Sequence, residues 1–126
     1  MPVKYQKFIS RQDLKDNPDT LYVFGDNFVR KGFGGQAKEM RGEPNAVGLP
    51  TKKYPSFRPE AFLTDDDLEE VLEKSRPGIV MLLNHLKSGK NVVIPTDGVG
   101  TGLAGLGPNS AILTYYENVF NRLKKI

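Results

Sequence analysis

Two segments of this chain share one layout, and that layout constrains the fold more than any other feature. Val92 to Pro108 reads VVIPTDGVGTGLAGLGP: an apolar run, then Gly98, Gly100, Gly102, Gly105 and Gly107, with a helical pattern from Ser110. An earlier stretch repeats the plan. TLYVF at 20–24 leads into Gly25-Asp26-Asn27 and Gly32-Phe33-Gly34-Gly35, and QAKEMR at 36–41 looks helical. Short apolar, β-branched runs read as buried strands. A strand that passes through glycines into a helix presents backbone N–H groups on which an anion can sit. Nine of the thirteen glycines fall in these two loops, a concentration that scattered turn punctuation does not produce. If the two strands are neighbours in one parallel sheet, both loops project from the same edge, where open α/β sheets hold their ligands.

The remaining segments read as a scaffold for these loops. Tyr5 to Ile9 fits a short strand. Ser10, with Asp13 three residues on, fits a capped helical turn. Val47 to Thr51 fits a short or edge strand, because Pro50 cannot donate to a ladder. Thr64 with Asp67 is a capping box, and the Asp65-Asp66-Asp67 run suits the positive end of a helix better than a metal. Pro77 either kinks the following helix or starts a new one. Ile112, Tyr116, Phe120 and Leu123 recur at helical spacing and predict a core-facing stripe. At 126 residues, without an interdomain linker or repeat, one α/β domain is expected.

Several function classes are disfavoured. The chain has no cysteine, which removes disulfides, thiol nucleophiles and thiolate metal sites. Its one histidine, His85, sits in a helical pattern and reads as a packing or surface residue. No metal site and no cofactor are expected. No run is long enough to span a membrane, and MPVKYQKF has no apolar export core, so a cytoplasmic protein is expected. A net charge of +3 is mild: it helps attract phosphates without marking a nucleic-acid binder. The P-loop signature is absent. Gly100 to Gly105 matches the letters of the dinucleotide fingerprint but comes too late in the chain for that fold.

The two loops resemble those of the macrodomain family. LYVFGDNFVRKGFGGQAKEM, residues 21–40, is similar to that family's early strand, Asn-containing loop, glycines and helix. IPTDGVGTGLAGL, residues 94–106, is similar to its late strand and G-[IV]-[GST]-T-G-L loop. The resemblance implies a compact three-layer α/β/α macro-like domain with a mixed, mostly parallel sheet. It also implies ADP-ribose, or a derivative, bound between the loops. By it, the N–H groups of Val99, Gly100, Thr101, Gly102, Leu103 and Ala104 would hold the phosphates, and Gly98 would belong to the same ligand-binding loop. Gly34, Gly35 and Gln36 would approach the distal ribose, Asp26 would accept hydrogen bonds from ribose or adenine, and Phe33 would cover a ring face. No arginine stands out as a clamp, so fixed backbone donors are the main binding term.

LPTKK, residues 49–53, is similar to a lysine-containing subgroup of macrodomain glycohydrolases. That likeness makes Lys52 a candidate nucleophile. The subgroup's aspartate after Gly-Leu is Ala104 here, and the nearby acid is Asp97. Asn27 is a third catalytic candidate, by likeness to asparagine-type hydrolases. The implied activities are binding alone, or removal of ADP-ribose from a modified macromolecule. A reading independent of the resemblance is a small basic nucleic-acid- or protein-binding module. It would use Arg30, Lys31, Lys52, Lys53 and Arg58 with Tyr54 and Phe57.

Overall fold

The computed structural model describes residues 2–100, 104–107 and 110–126. Its elements run β1 (Val3–Gln6), α1 (Arg11–Asp16), β2 (Leu21–Asn27), α2 (Ala37–Met40), β3 (Ala46–Lys52), α3 (Leu68–Lys87), β4 (Val92–Pro95) and α4 (Ala111–Leu123). The strands form one four-stranded sheet in the order β1-β4-β2-β3. All three strand pairings are parallel. The expectation of a mixed sheet is therefore corrected: every described strand runs the same way. Among the described residues, an isolated bridge between Lys52 and Phe62 is antiparallel and lies outside the strand ladders.

Side-chain alternation divides the core into two layers. Val23 of β2, Leu49 of β3 and Ile94 of β4 face α3 and α4, where they pack with Val71, Leu82, Ile112 and Tyr116. Tyr22, Phe24 and Val93 face the other way, onto Leu14 of α1 and Met40 of α2. The result is a three-layer α/β/α sandwich. Its handedness follows from the order of the strands. The steps β1 to β2 and β2 to β3 move in one direction across the sheet, and their helices share a face. The step β3 to β4 moves back, so a right-handed crossover must place α3 on the opposite face.

That reversal opens a crevice. β2 and β4 pair only at Leu21↔Val92 and Tyr22↔Val93, near their starts. Beyond Tyr22, β2 stays paired with β3 alone, as far as Asn27↔Lys52 across a register shift. The chain leaving β2 turns to α2 on one face, and the chain leaving β4 turns to α4 on the other. Their carboxyl ends therefore part at the point where strand order reverses, the usual ligand position in such sheets.

Local signals account for most boundaries. Ser10 and Asp13 form the expected capping box of α1, and Thr64 and Asp67 form another ahead of α3. Ser110 caps α4 by accepting from the Leu113 amide. Four expectations shift. β2 continues past Phe24 to Asn27 along its ladder with β3. β1 lies at Val3–Gln6 rather than 5–9, because the ladder with β4 begins at Val3↔Val92 and Ile9 is drawn into the core beside α1. α2 is a single turn, not a six-residue helix. α3 runs through Pro77 without a break. Pro77 is on the exposed side, where the carbonyl it leaves unpaired can turn to water.

Candidate functional site

A cavity of about 450 Å³ fills the crevice between the carboxyl ends of β2 and β4. That volume is in the range of small-molecule sites, about 300–1,000 Å³. Four chain segments wall it: the loop after β2, the segment after β3, the loop after β4 and Lys7 just after β1. Of the residues singled out in the sequence, Asp26 and Asn27 line it from the end of β2, and Gly34, Gly35 and Gln36 from the loop that follows. Lys52 lines it from the end of β3, and Asp97, Gly98, Val99, Gly100 and Ala104 from the last loop. Thr101, Gly102 and Leu103 lie outside the described residues. Phe33 is not in the lining: its neighbours Gly32 and Gly34 are, while Phe33 itself is 64% exposed.

Asp26 sits at the base of the first loop, buried, and is the hub of an ion-pair cluster. Its Oδ1 accepts from Arg41 Nη2 at 2.5 Å and from the Asn27 amide at 2.8 Å. Its Oδ2 accepts from Arg41 Nη1 and Arg30 Nη1, both at 3.3 Å. A carboxylate has about four acceptor positions, and all are taken. The expected role of Asp26 as an acceptor for ribose or adenine gives way to one of organising the loop. Gly48 makes room for it, since a side-chain carbon there would collide with the Asp26 carboxylate. Arg41 also donates to the carbonyls of Gly32 at 2.6 Å and Lys31 at 3.2 Å, which pins the glycine loop in place. Arg30 reaches across to the carbonyls of Gly48 and Lys74, with its own backbone at φ 56°.

Asn27 is likewise engaged. Its Nδ2 donates to the Lys31 carbonyl at 2.7 Å, and its Oδ1 accepts from the Lys31 amide at 3.4 Å. This closes a tight turn and uses both ends of the side-chain amide. The Gln36 side chain donates to the Ile9 carbonyl at 3.0 Å and ties the loop to the segment after β1. In the last loop, Gly98 at φ 75° and Gly100 at φ 92° take backbone conformations that side chains resist. The Leu106 amide donates to the Gly100 carbonyl at 2.8 Å.

Lys52 differs from these residues. It is 9% exposed, and its Nζ donates to the Ser56 carbonyl at 2.5 Å. The same nitrogen lies 4.9 Å from the Phe57 ring centroid and 4.6 Å from that of Phe62. These partners are all neutral, and no ion pair involves Lys52 among the described residues. A buried ammonium without a counter-charge is costly unless something anionic joins it. Lys7, Lys31 and Arg41 also line the cavity. Against these four cations stand two carboxylates, Asp97 and Asp26, and Asp26 is already neutralised by its arginines. Asp97 is exposed at the rim.

Sequence reasoning missed Lys7, Arg41, Pro55 and Ser56, and it singled out Phe57 only as a stacking residue of the basic-module reading. For Arg41 the signal was available: an aspartate at the end of a central strand needs a cation, and Arg41 ends the next helical pattern. Lys7 and Ser56 carried no local signal. Elsewhere, Asp67 and Asp65 act as helix-end acceptors, for the amides of Thr64 and Ala111. His85 bonds the Asp19 carbonyl through Nε2 at 2.7 Å, far from the cavity lining. No helix among the described residues is long and apolar enough to cross a membrane.

No curated protein and no solved structure matches the chain. One family model does match, over residues 4–116, a span that takes in β2, β3, β4, all of β1 but Val3, and every residue of the cavity. The chain therefore belongs to that family, described as a family of unknown function (DUF7831).

Proposed function

We propose that the protein binds an anionic nucleotide-sugar of the ADP-ribose class in this cavity. One observation carries the reading: the buried Lys52 ammonium faces the cavity with only neutral partners among the described residues. A phosphate placed there gains a charge-assisted hydrogen bond and supplies the missing counter-charge. The positive-φ glycines of the last loop approach from the other side, which suits a diphosphate lying between them. The cavity volume of about 450 Å³ and the likeness of both loops to macrodomain loops favour a nucleotide-sugar over a lone anion.

Binding ranks ahead of hydrolysis. A carbonyl oxygen and two ring faces are partners for a cation, so the surroundings of Lys52 suit an anchoring ammonium better than an amine nucleophile. Asn27 spends its amide on the Lys31 backbone. The nucleic-acid reading is thinned as well. Of its five cations, Arg30 is committed to Asp26 and two carbonyls, Lys52 is buried and Lys53 lies 3.8 Å from Asp67.

Calorimetric titration with ADP-ribose, with AMP as the comparison, tests the reading. Clearly tighter binding of ADP-ribose than of AMP is expected, because the longer ligand spans both loops. Absence of binding by folded protein refutes it. Release of ADP-ribose from a modified target, lost in both Lys52→Ala and Asp97→Ala, would move the assignment to hydrolase.

A further inference from the structure

We propose that Phe57 is a displaceable gate over the Lys52 ammonium, one that favours a ligand with a ring attached to its phosphate over a bare phosphate. The inference rests on the reading of the cavity as an anion site and adds what decides among anions. Lys52 is covered by two rings of unequal freedom. Phe62 is half-buried and is held by the backbone bridge to Lys52 itself. Phe57 is 74% exposed, lines the cavity and lies on a segment bounded by Pro55 and Pro59. The backbone ties near it are short-range, from the Ser56 amide to the Tyr54 carbonyl at 2.9 Å and from the Arg58 amide to Ser56 Oγ at 3.1 Å.

An anion approaching the ammonium meets a ring, a carbonyl and a second ring. Phe57 is the partner that moves most cheaply. Its ring is mostly exposed and so gives up little packing when it moves, whereas a phosphate oxygen makes a charge-assisted bond to the ammonium. Once displaced, the ring keeps its large apolar face beside the cavity. It then packs on whatever is joined to the phosphate, a sugar or a base. A bare phosphate pays for the displacement and offers no such surface. A nucleotide-sugar recovers the contact. Phe57 thus works against small inorganic anions and for the organic ligand.

The test compares inorganic pyrophosphate and ADP-ribose on wild type, Phe57→Ala and Phe57→Tyr, by calorimetry, with thermal melts to verify folding. Phe57→Ala is expected to bind pyrophosphate about 2- to 5-fold more tightly, because the gate is gone. The same variant is expected to bind ADP-ribose about tenfold more weakly, because the ring contact is gone. Phe57→Tyr keeps the ring and should resemble wild type with both ligands. If both ligands weaken together in Phe57→Ala, or neither changes, the gate is overturned while ADP-ribose binding by wild type still stands. If wild type takes pyrophosphate but not ADP-ribose, the nucleotide-sugar reading and the selection fall together. If wild type binds neither, the anion site itself is refuted.

Discussion

Asp26 and Arg41 meet at 2.5 Å between Oδ1 and Nη2, and this pair makes a rigid wall of a glycine-rich loop. The guanidinium holds the carboxylate with one edge and the Lys31 and Gly32 carbonyls with the rest of its donors. Asp26→Asn removes the charge and keeps the shape. It leaves Arg41, which is largely buried, and Arg30, which is partly exposed, without their anion. A loss of about 3 kcal/mol is expected, at the low end for breaking a buried pair because Arg30 can turn to water. Urea unfolding measures it. A variant within about 0.5 kcal/mol of wild type would show that the cluster does not hold the loop.

Gly48→Ala probes the same cluster from below. The added carbon would sit against the Asp26 carboxylate and its Cβ. Because Asp26 is fixed by two arginines, it cannot swing away. A destabilisation of about 1–3 kcal/mol is expected from overpacking. Gly48 is not at positive φ, so the cost is steric and should shrink sharply in the Asp26→Ala background. Equal costs in the two backgrounds would disprove the collision.

Lys52→Met separates function from stability. Methionine keeps an unbranched apolar stem between Phe57 and Phe62 and removes the buried charge. ADP-ribose affinity should fall at least about tenfold, the worth of a hydrogen bond to a charged group. The melting temperature should hold or rise, since an uncompensated ammonium no longer has to be buried. A falling melting temperature with unchanged affinity would recast Lys52 as a structural residue.

Tyr116 gives the fold an alkaline limit. Burial pushes its phenol well above the usual tyrosine range, with a further push from neighbouring Tyr115. Its hydroxyl donates to the Pro50 carbonyl at 2.5 Å. The folded state therefore keeps a proton that the unfolded chain releases above about pH 10. Stability is full below that pH and falls above it by up to about 1.4 kcal/mol per unit. Tyr116→Phe is expected to cost about 1 kcal/mol at neutral pH through the lost hydrogen bond and to flatten the alkaline decline. Denaturant unfolding at pH 7 and at pH 10 to 11 measures both; parallel declines in the two proteins would exclude this origin.

Much of the scaffold was legible because its signals are local. Ser10 and Asp13, and Thr64 and Asp67, announced their helix starts three residues ahead. The stripe Ile112-Tyr116-Phe120-Leu123 gave the buried face of α4. Less of the site was legible. Asp26 and Asn27, singled out for their position at a strand end, line the cavity, yet their side chains serve the loop itself. The sequence does not print which acceptors a side chain will spend on its own backbone. Lys52 stood out through a likeness to another family and as one of a group of basic residues, and nothing local revealed its cage of Phe57 and Phe62.

The sequence by itself determined the alternation of strands and helices, the helix caps and the presence of two glycine loops, because propensity, periodicity and capping act within a few residues. Only the tertiary structure decided that β4 inserts between β1 and β2. That insertion brings Gly25 against Gly100, and it sets Lys52, Arg41 and Lys7 around one cavity. Strand order depends on burying both faces of the sheet at once with right-handed crossovers, a condition on the whole chain that no short segment carries.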